Sequence, residues 1–256
     1  MLSVKSIAED RAAGATELAL RAAELLVHVA REGDWRATAR ALAHAQPAMA
    51  PILRIASEVE AAPDAASAAS IAAAWQRRLA RTSAEIARHA AALVNGPVLT
   101  HSYSAAVFQT LVEARRQGLT FDVIATESNP LGEGRRLVED LAGQGIAARL
   151  IPDAAAGAAL EQTAVVLIGA DSVSPSGLVN KVGTSLIVAV ARLRRKPAYA
   201  LFGEEKVWPS PLPTGSLFDR TPLDWFSGFV TAAGTLPSLL SLFPSPVPSA
   251  HLRLLD

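Results

Sequence analysis

The chain of 256 residues carries 24 basic and 24 acidic side chains, is 50% apolar and contains no cysteine. At roughly 150 residues per domain it can hold one large domain or two modest ones, with a core that needs no disulfide or metal staple. The absent cysteine excludes thiol catalysis and Cys-ligated metal centres, and the zero net charge gives no global pull toward nucleic acid or an anionic membrane.

The first 94 residues are Ala-rich with helical spacing, as in Leu18, Arg21, Ala22 and Leu25, and predict a helical bundle. Breaks are expected at Gly33-Asp34, Gln46-Pro47 and Ala62-Pro63-Asp64, with a long helix over 66–93 closing the section. Alanine packs helices closely but buries little area, so the bundle is expected to lean on its neighbour.

After Asn95-Gly96-Pro97, short apolar runs alternate with helix-like segments, the pattern of a parallel sheet covered by helices. The fold class is therefore α/β, with a helical N-terminal domain over 1–94 and a Rossmann-like domain with a mainly parallel sheet over 95–256. Strands are expected at 98–100, 122–126, 148–151, 165–169 and 198–202, with helices at 104–117, 134–143, 155–162 and 184–195. A further strand near 229–231 follows a Pro-rich stretch over 207–222 that is read as irregular. The long uncharged runs at 89–112 and 225–252 are not membrane spans, because Asn95, Gly96 and Pro97 break the first and Pro237, Pro244, Pro246 and Pro248 the second. The start lacks a basic segment followed by an apolar core, so a cytoplasmic location is expected.

In open α/β sheets ligands bind beyond the carboxyl ends of the strands, where helix N-termini point. The residues there are His101-Ser102-Tyr103-Ser104, Glu127-Ser128-Asn129-Pro130, Pro152-Asp153, Ala170-Asp171-Ser172 and Gly203-Glu204-Glu205-Lys206. They converge on one edge. Asp171 follows the apolar run Val165-Val166-Leu167-Ile168, so burial can raise its pKa and suit it to proton transfer, although a turn or helix-capping aspartate is the plainer reading. Asn180-Lys181-Val182-Gly183-Thr184 precedes an apolar helix, which would turn backbone N–H groups and one ammonium toward phosphate.

Other motifs fail. The segment is not a P-loop, and Gly132-Glu133-Gly134 is not a dinucleotide fingerprint because Leu137 stands where glycine or alanine is needed. Ser102 beside His101 lacks the Gly-x-Ser-x-Gly elbow of a hydrolase, and the five histidines show no metal-ligand spacing. The basic run at 192–196 reads as a solvated helix end. No metal and no cofactor is implied.

The constellation Val98-Leu99-Thr100-His101-Ser102-Tyr103-Ser104, Thr126-Glu127-Ser128-Asn129-Pro130, Gly169-Ala170-Asp171 and Asn180-Lys181-Val182-Gly183-Thr184 resembles the α/β/δ subunits of translation initiation factor 2B. It is similar also to their metabolic relatives, ribose-1,5-bisphosphate isomerase and methylthioribose-1-phosphate isomerase. Weaker matches are Asp10-Arg11-Ala12-Ala13-Gly14-Ala15, Gln46-Pro47-Ala48-Met49 and Phe218-Asp219-Arg220-Thr221-Pro222. The resemblance implies dimerisation through the second domain and a crevice for a phosphorylated sugar or nucleotide. It implies catalytic positions at Asp171 and Ser102, and ligand or phosphate contacts from Arg11, Gly14, Ala15, Ser104, Asn180, Lys181 and Lys206.

The isomerases carry cysteine where this chain has Ser102, and a serine hydroxyl is a far weaker acid than a thiol. Gln46 and Asn129 stand where arginines are usual, which points to weaker binding or to a ligand with one phosphate rather than two. The expected protein is a cytoplasmic homodimer that binds a phosphorylated ligand without classical isomerase chemistry, with no direct contact to nucleic acid or membrane. An aldose–ketose isomerase using Asp171, with water or Glu127, is the alternative, and membership of a translation-factor-like assembly is a third.

Overall fold

The structure is a computed structural model and describes residues 2–10, 13–239 and 242–243. Arg11, Ala12 and the residues beyond Phe243, including the end of the 225–252 run, lie outside the described residues. Five helices open the chain: α1 (Val4–Glu9), α2 (Ala15–Glu32), α3 (Trp35–Ala45), α4 (Ala50–Glu60) and α5 (Ala65–Ala90). Asp34 and Asp64 cap α3 and α5 by accepting from Ala37 and Ser67 N–H, and Gly33 ends α2, so the expected breaks fall between helices. Leu18, Leu26, Ile52, Leu53 and Leu79 fill the bundle, and Trp208 and Leu212 from much later in the chain complete the same apolar cluster. The small alanine surfaces do lean on a neighbour.

The rest of the chain is an α/β layer. Its strands are β1 (Val98–Thr100), β2 (Val123–Thr126), β3 (Ala148–Ile151), β4 (Val165–Ile168), β5 (Ser172–Ser174), β6 (Gly177–Lys181), β7 (Ala198–Leu201), β8 (Phe218–Thr221), β9 (Gly228–Thr231) and β10 (Gly234–Leu236). Its helices are α6 (Ala105–Arg116), α7 (Glu133–Gly143), α8 (Ala156–Ala159) and α9 (Thr184–Leu193). The large sheet runs β10-β9-β7-β4-β1-β2-β3, parallel except for the β9–β10 edge. Alternate residues face opposite sides: Val98, Val123, Val165 and Leu167 join the cluster with α6 and α7, whereas Leu99, Ile124, Val166 and Ile168 join the cluster with α8 and α9. No helix among the described residues is long and apolar enough to cross a membrane.

Two regions differ from expectation. The loop after Asp171 is a hairpin, β5–β6, and β8 from the Pro-rich stretch pairs antiparallel with β6 to give a separate three-stranded sheet. Short strands with Ser, Gly and Asn carry little apolar alternation, so their pairing is set by the long-range partner and not by local pattern. The helix expected over 155–162 is one α turn, Ala156–Ala159, flanked by 3-10 turns.

Strand order reverses at β1, which has β2 on one side and β4 on the other. That switch point is where the strand ends splay and a ligand crevice opens. Glycines permit the close packing beside it. A Cβ on Gly134 at the start of α7 would fall 1.8 Å from the Thr126 carbonyl oxygen, and one on Gly169 would fall 2.5 Å from Ser104 Oγ. Since Thr126 O is backbone and cannot swing away, Gly134→Ala is expected to destabilise the fold by about 2–4 kcal/mol, read by urea denaturation. Wild-type stability in that variant would show that α7 can shift freely on β2.

Candidate functional site

A crevice of about 740 Å³, counting its open mouth, lies between the carboxyl edge of the large sheet and the bundle. Gly14, Ala15, Ser102, Ser104, Asp171, Asn180, Lys181 and Lys206 all line it, so eight of the nine expected positions meet in one place. Arg11, the ninth, lies outside the described residues.

The end of β1 is held rigidly. His101 is buried and uses both ring nitrogens: Nε2 lies 2.9 Å from the Val182 carbonyl oxygen and Nδ1 2.6 Å from Thr126 Oγ1. A carbonyl can only accept, so Nε2 carries the proton, and the hydroxyl of Thr126 donates to Nδ1. Burial lowers the His101 pKa, which keeps this ring neutral. It therefore joins three chain segments and has no nitrogen left to activate Ser102. Ser102 itself adopts a left-handed backbone, φ 65, with its N–H donating to Ser128 Oγ at 2.6 Å. Ser128 is left-handed as well, φ 63, and Asp153 holds that turn by accepting from the N–H groups of Ser128 and Asn129. Ser104 caps α6 through Val107 N–H, 3.4 Å away.

Across the switch point, Asp171 ends the run after β4. Its N–H donates to the Val179 carbonyl and its own carbonyl accepts from Ala50 N–H at 3.3 Å. Burial pushes the carboxyl up, against the opposing pull of Lys206 and then Lys181. Lys206 is buried and its pKa is lowered by that burial, against the pull of Asp171 and Glu205. Asp171 is thus a strand-end residue bound to the bundle, not a helix cap.

Lys181 Nζ lies 2.5 Å from Glu133 Oε1, with the two side chains only 6% and 5% exposed, and 5.3 Å from the centre of the Phe218 ring. Glu133 Oε2 is buried with no hydrogen-bond partner. Glu133 is not among the positions the sequence pattern singles out: only its place after Gly132, at the start of the helix following β2, marks it, and its role depends on Lys181.

One expectation is corrected. The N–H groups at the start of α9 do not turn toward the crevice as a phosphate cradle, because Asp219 occupies them: its carboxylate accepts from Gly183 N–H at 2.8 Å, Ser185 N–H and Ser185 Oγ. Asn180 donates to Thr184 Oγ1 and so braces the same turn while lining the crevice. Gln46, where an arginine is usual, donates to the Ile7 carbonyl and locks α1 to the end of α3. Asn129 is exposed and donates to Glu127.

These features define an α/β protein with a half-enclosed, cation-bearing crevice at the switch point of its sheet, roofed by a helical bundle. Residues 11–212 match the initiation factor 2 subunit family, IF-2B, and the chain belongs to that family. It is 36% identical to the translation initiation factor eIF2B subunit alpha of Caenorhabditis elegans over 40% of this chain and 34% of that one. It is 31% identical to the ribose 1,5-bisphosphate isomerase of Archaeoglobus fulgidus over 55% of this chain and 53% of that one. Both alignments span less than two thirds of those relatives. The solved translation initiation factor eIF-2B of Pyrococcus horikoshii superposes with a TM-score of 0.86, at 26% identity, over 93% of this chain and 97% of that one.

The raised Asp171 carboxyl has a signed consequence. A folded pKa above the unfolded one means the native state holds more protons between the two values, so this group's contribution falls as pH rises through that window. Asp171→Asn is therefore expected to flatten the decline of stability as pH rises above the ordinary aspartate value of 3.8. Urea denaturation from acid to neutral pH checks this, and a variant with the wild-type slope would refute it.

Proposed function

We propose that the crevice binds a phosphorylated sugar or a nucleoside monophosphate, and that the protein acts as an initiation-factor-2B-like binding protein without classical isomerase chemistry. The observation that carries this reading is the burial of two ammonium groups, Lys181 and Lys206, in the wall of one crevice at a sheet switch point. Buried lysines are costly unless something negative faces them. Here Lys181 faces Glu133, and Lys206 faces Asp171 and Glu205, so little positive charge is left over for a ligand. That balance suits a single phosphate. A bisphosphate would bring more charge than these two cations can meet.

The loss of isomerase chemistry rests on Ser102. Its hydroxyl titrates far above a thiol, and the neighbouring His101 is already engaged by Thr126 and Val182. A second reading has one observation in its favour: Asp171 is a buried carboxyl with a raised pKa on the crevice wall, as an acid–base group in aldose–ketose conversion would be. Proton NMR with ribose phosphates and methylthioribose-1-phosphate decides between them. Binding without product supports the first reading, and product formation abolished by Asp171→Asn supports the second.

Lys181→Ala and Lys206→Ala are each expected to weaken ribose 5-phosphate binding by about 1–3 kcal/mol, the worth of a hydrogen bond to a charged group. Glu133→Gln, which frees Lys181 from its counter-charge, is expected to tighten it. Calorimetry on the three variants checks this, and unchanged affinity in all of them sinks the site.

The reading includes a cytoplasmic homodimer. Leu186 and Leu193, 66% and 83% exposed, lie seven residues apart on one face of α9, an apolar surface suited to a second copy of the chain. Leu186→Asp combined with Leu193→Asp is expected to halve the mass measured by light scattering. A wild-type protein that is already monomeric would exclude the dimer.

A further inference from the structure

A second cavity opens between α5 and the turns that follow β7 and β9. Arg77, Arg78 and Arg81 line one side, and 77 and 78 each stand three or four residues from 81, so the three guanidinium groups share one patch of the helix. Glu85, Glu204 and Glu205 also line it. Three arginines and three glutamates bordering one space would ordinarily close into ion pairs. None of these arginines forms a salt bridge to any of these glutamates among the described residues.

The fold holds the charges apart. Arg78 is drawn over the Trp75 ring, 5.0 Å from its centre. Arg54 of the neighbouring helix donates to the Val207 carbonyl just outside the cavity, and its pKa is lowered by burial and then by Arg78, against the pull of Glu58, Glu205 and Glu204. Glu205 is 2% exposed, folded back so that a Cβ on Gly203 would fall 2.1 Å from its Oε2, and that oxygen is buried with no hydrogen-bond partner. Crowded like charges on one wall, and on another a buried carboxyl with one oxygen unbonded and burial raising its pKa against Lys206, Arg78 and Arg54, are both unfavourable alone. A single ligand with an anionic end and a donor end relieves both.

We propose that this cavity is a second ligand site that takes a phosphate monoester bearing hydroxyl groups, with Arg77, Arg78 and Arg81 holding the phosphoryl oxygens and Glu204 and Glu205 accepting from the hydroxyls. Guanidinium forks match phosphoryl oxygens two at a time, which favours phosphate over a lone carboxylate. The facing glutamates repel a bare anion, which favours an ester with a polyol end. The site is separate from the crevice, although the two are adjacent in the chain: Glu205 lines one and Lys206 the other.

The test is calorimetric titration of the full chain with ribose 5-phosphate, comparing wild type with Arg77→Ala/Arg81→Ala, with Arg31→Ala/Arg115→Ala as an equal loss of exposed charge elsewhere, and with Lys181→Ala in the crevice. The Arg77/Arg81 double variant is expected to weaken one class of binding by roughly tenfold or more, as loss of two charge-assisted contacts implies, while the Arg31/Arg115 variant leaves it intact. Equal weakening in both double variants would show a diffuse charge effect and overturn the site. Binding abolished by Lys181→Ala but untouched by Arg77→Ala/Arg81→Ala would overturn it too, and would leave the crevice reading standing. Binding that survives Lys181→Ala and fails in the Arg77/Arg81 variant would support this site even if the crevice binds nothing.

Discussion

Asp171 is the residue on which the assembly of the molecule turns. Its N–H reaches Val179 of the β5–β6 hairpin, its carbonyl accepts from Ala50 at the start of α4, and the backbone of Ala15 at the start of α2 favours its charged form. One strand-end residue therefore ties the parallel sheet to the small sheet and to the bundle at α4. The cost is a buried carboxyl beside a buried ammonium, and that cost is tolerated because helix N-termini and Lys206 supply positive potential where the charge sits.

The same constraint organises the crevice. Once the bundle docks on Asp171, the wall around it is largely buried, so the polar groups there need partners. Lys181 finds Glu133, His101 finds Thr126 and Val182, and Ser128 finds Ser102. These pairings leave few groups uncommitted, chiefly one oxygen of Glu133 and the surface of the two ammoniums. A site with most of its polar atoms already satisfied is preorganised to bind, with little freedom to move protons through Ser102.

Much of the architecture was legible. Alanine spacing, the aspartates at 34 and 64, and Gly33 marked the helices of the bundle, because caps and periodicity are local. The five main strands were readable from apolar runs because both faces of a parallel sheet are buried. β5, β6 and β8 were not, since three to five residues rich in Ser, Gly and Asn become a sheet only when a partner distant in sequence is placed beside them. The crevice residues were legible as a group from strand ends and from the family resemblance. Glu133 and Asp219 were not, because each acts through a partner that only folding brings near.

By itself the sequence determined the α/β order of elements, the helical first section and the set of polar residues that arrive at one sheet edge, all consequences of local pattern and of the rule that strand ends face one way. Only the tertiary structure decided which of those residues face each other. It gave Lys181 to Glu133, the N-terminus of α9 to Asp219 and not to a ligand, and the Nε2 proton of His101 to Val182. The physical reason is that charge pairing and tautomer choice depend on distance and burial, and in this molecule those are fixed by contacts between segments far apart in the chain.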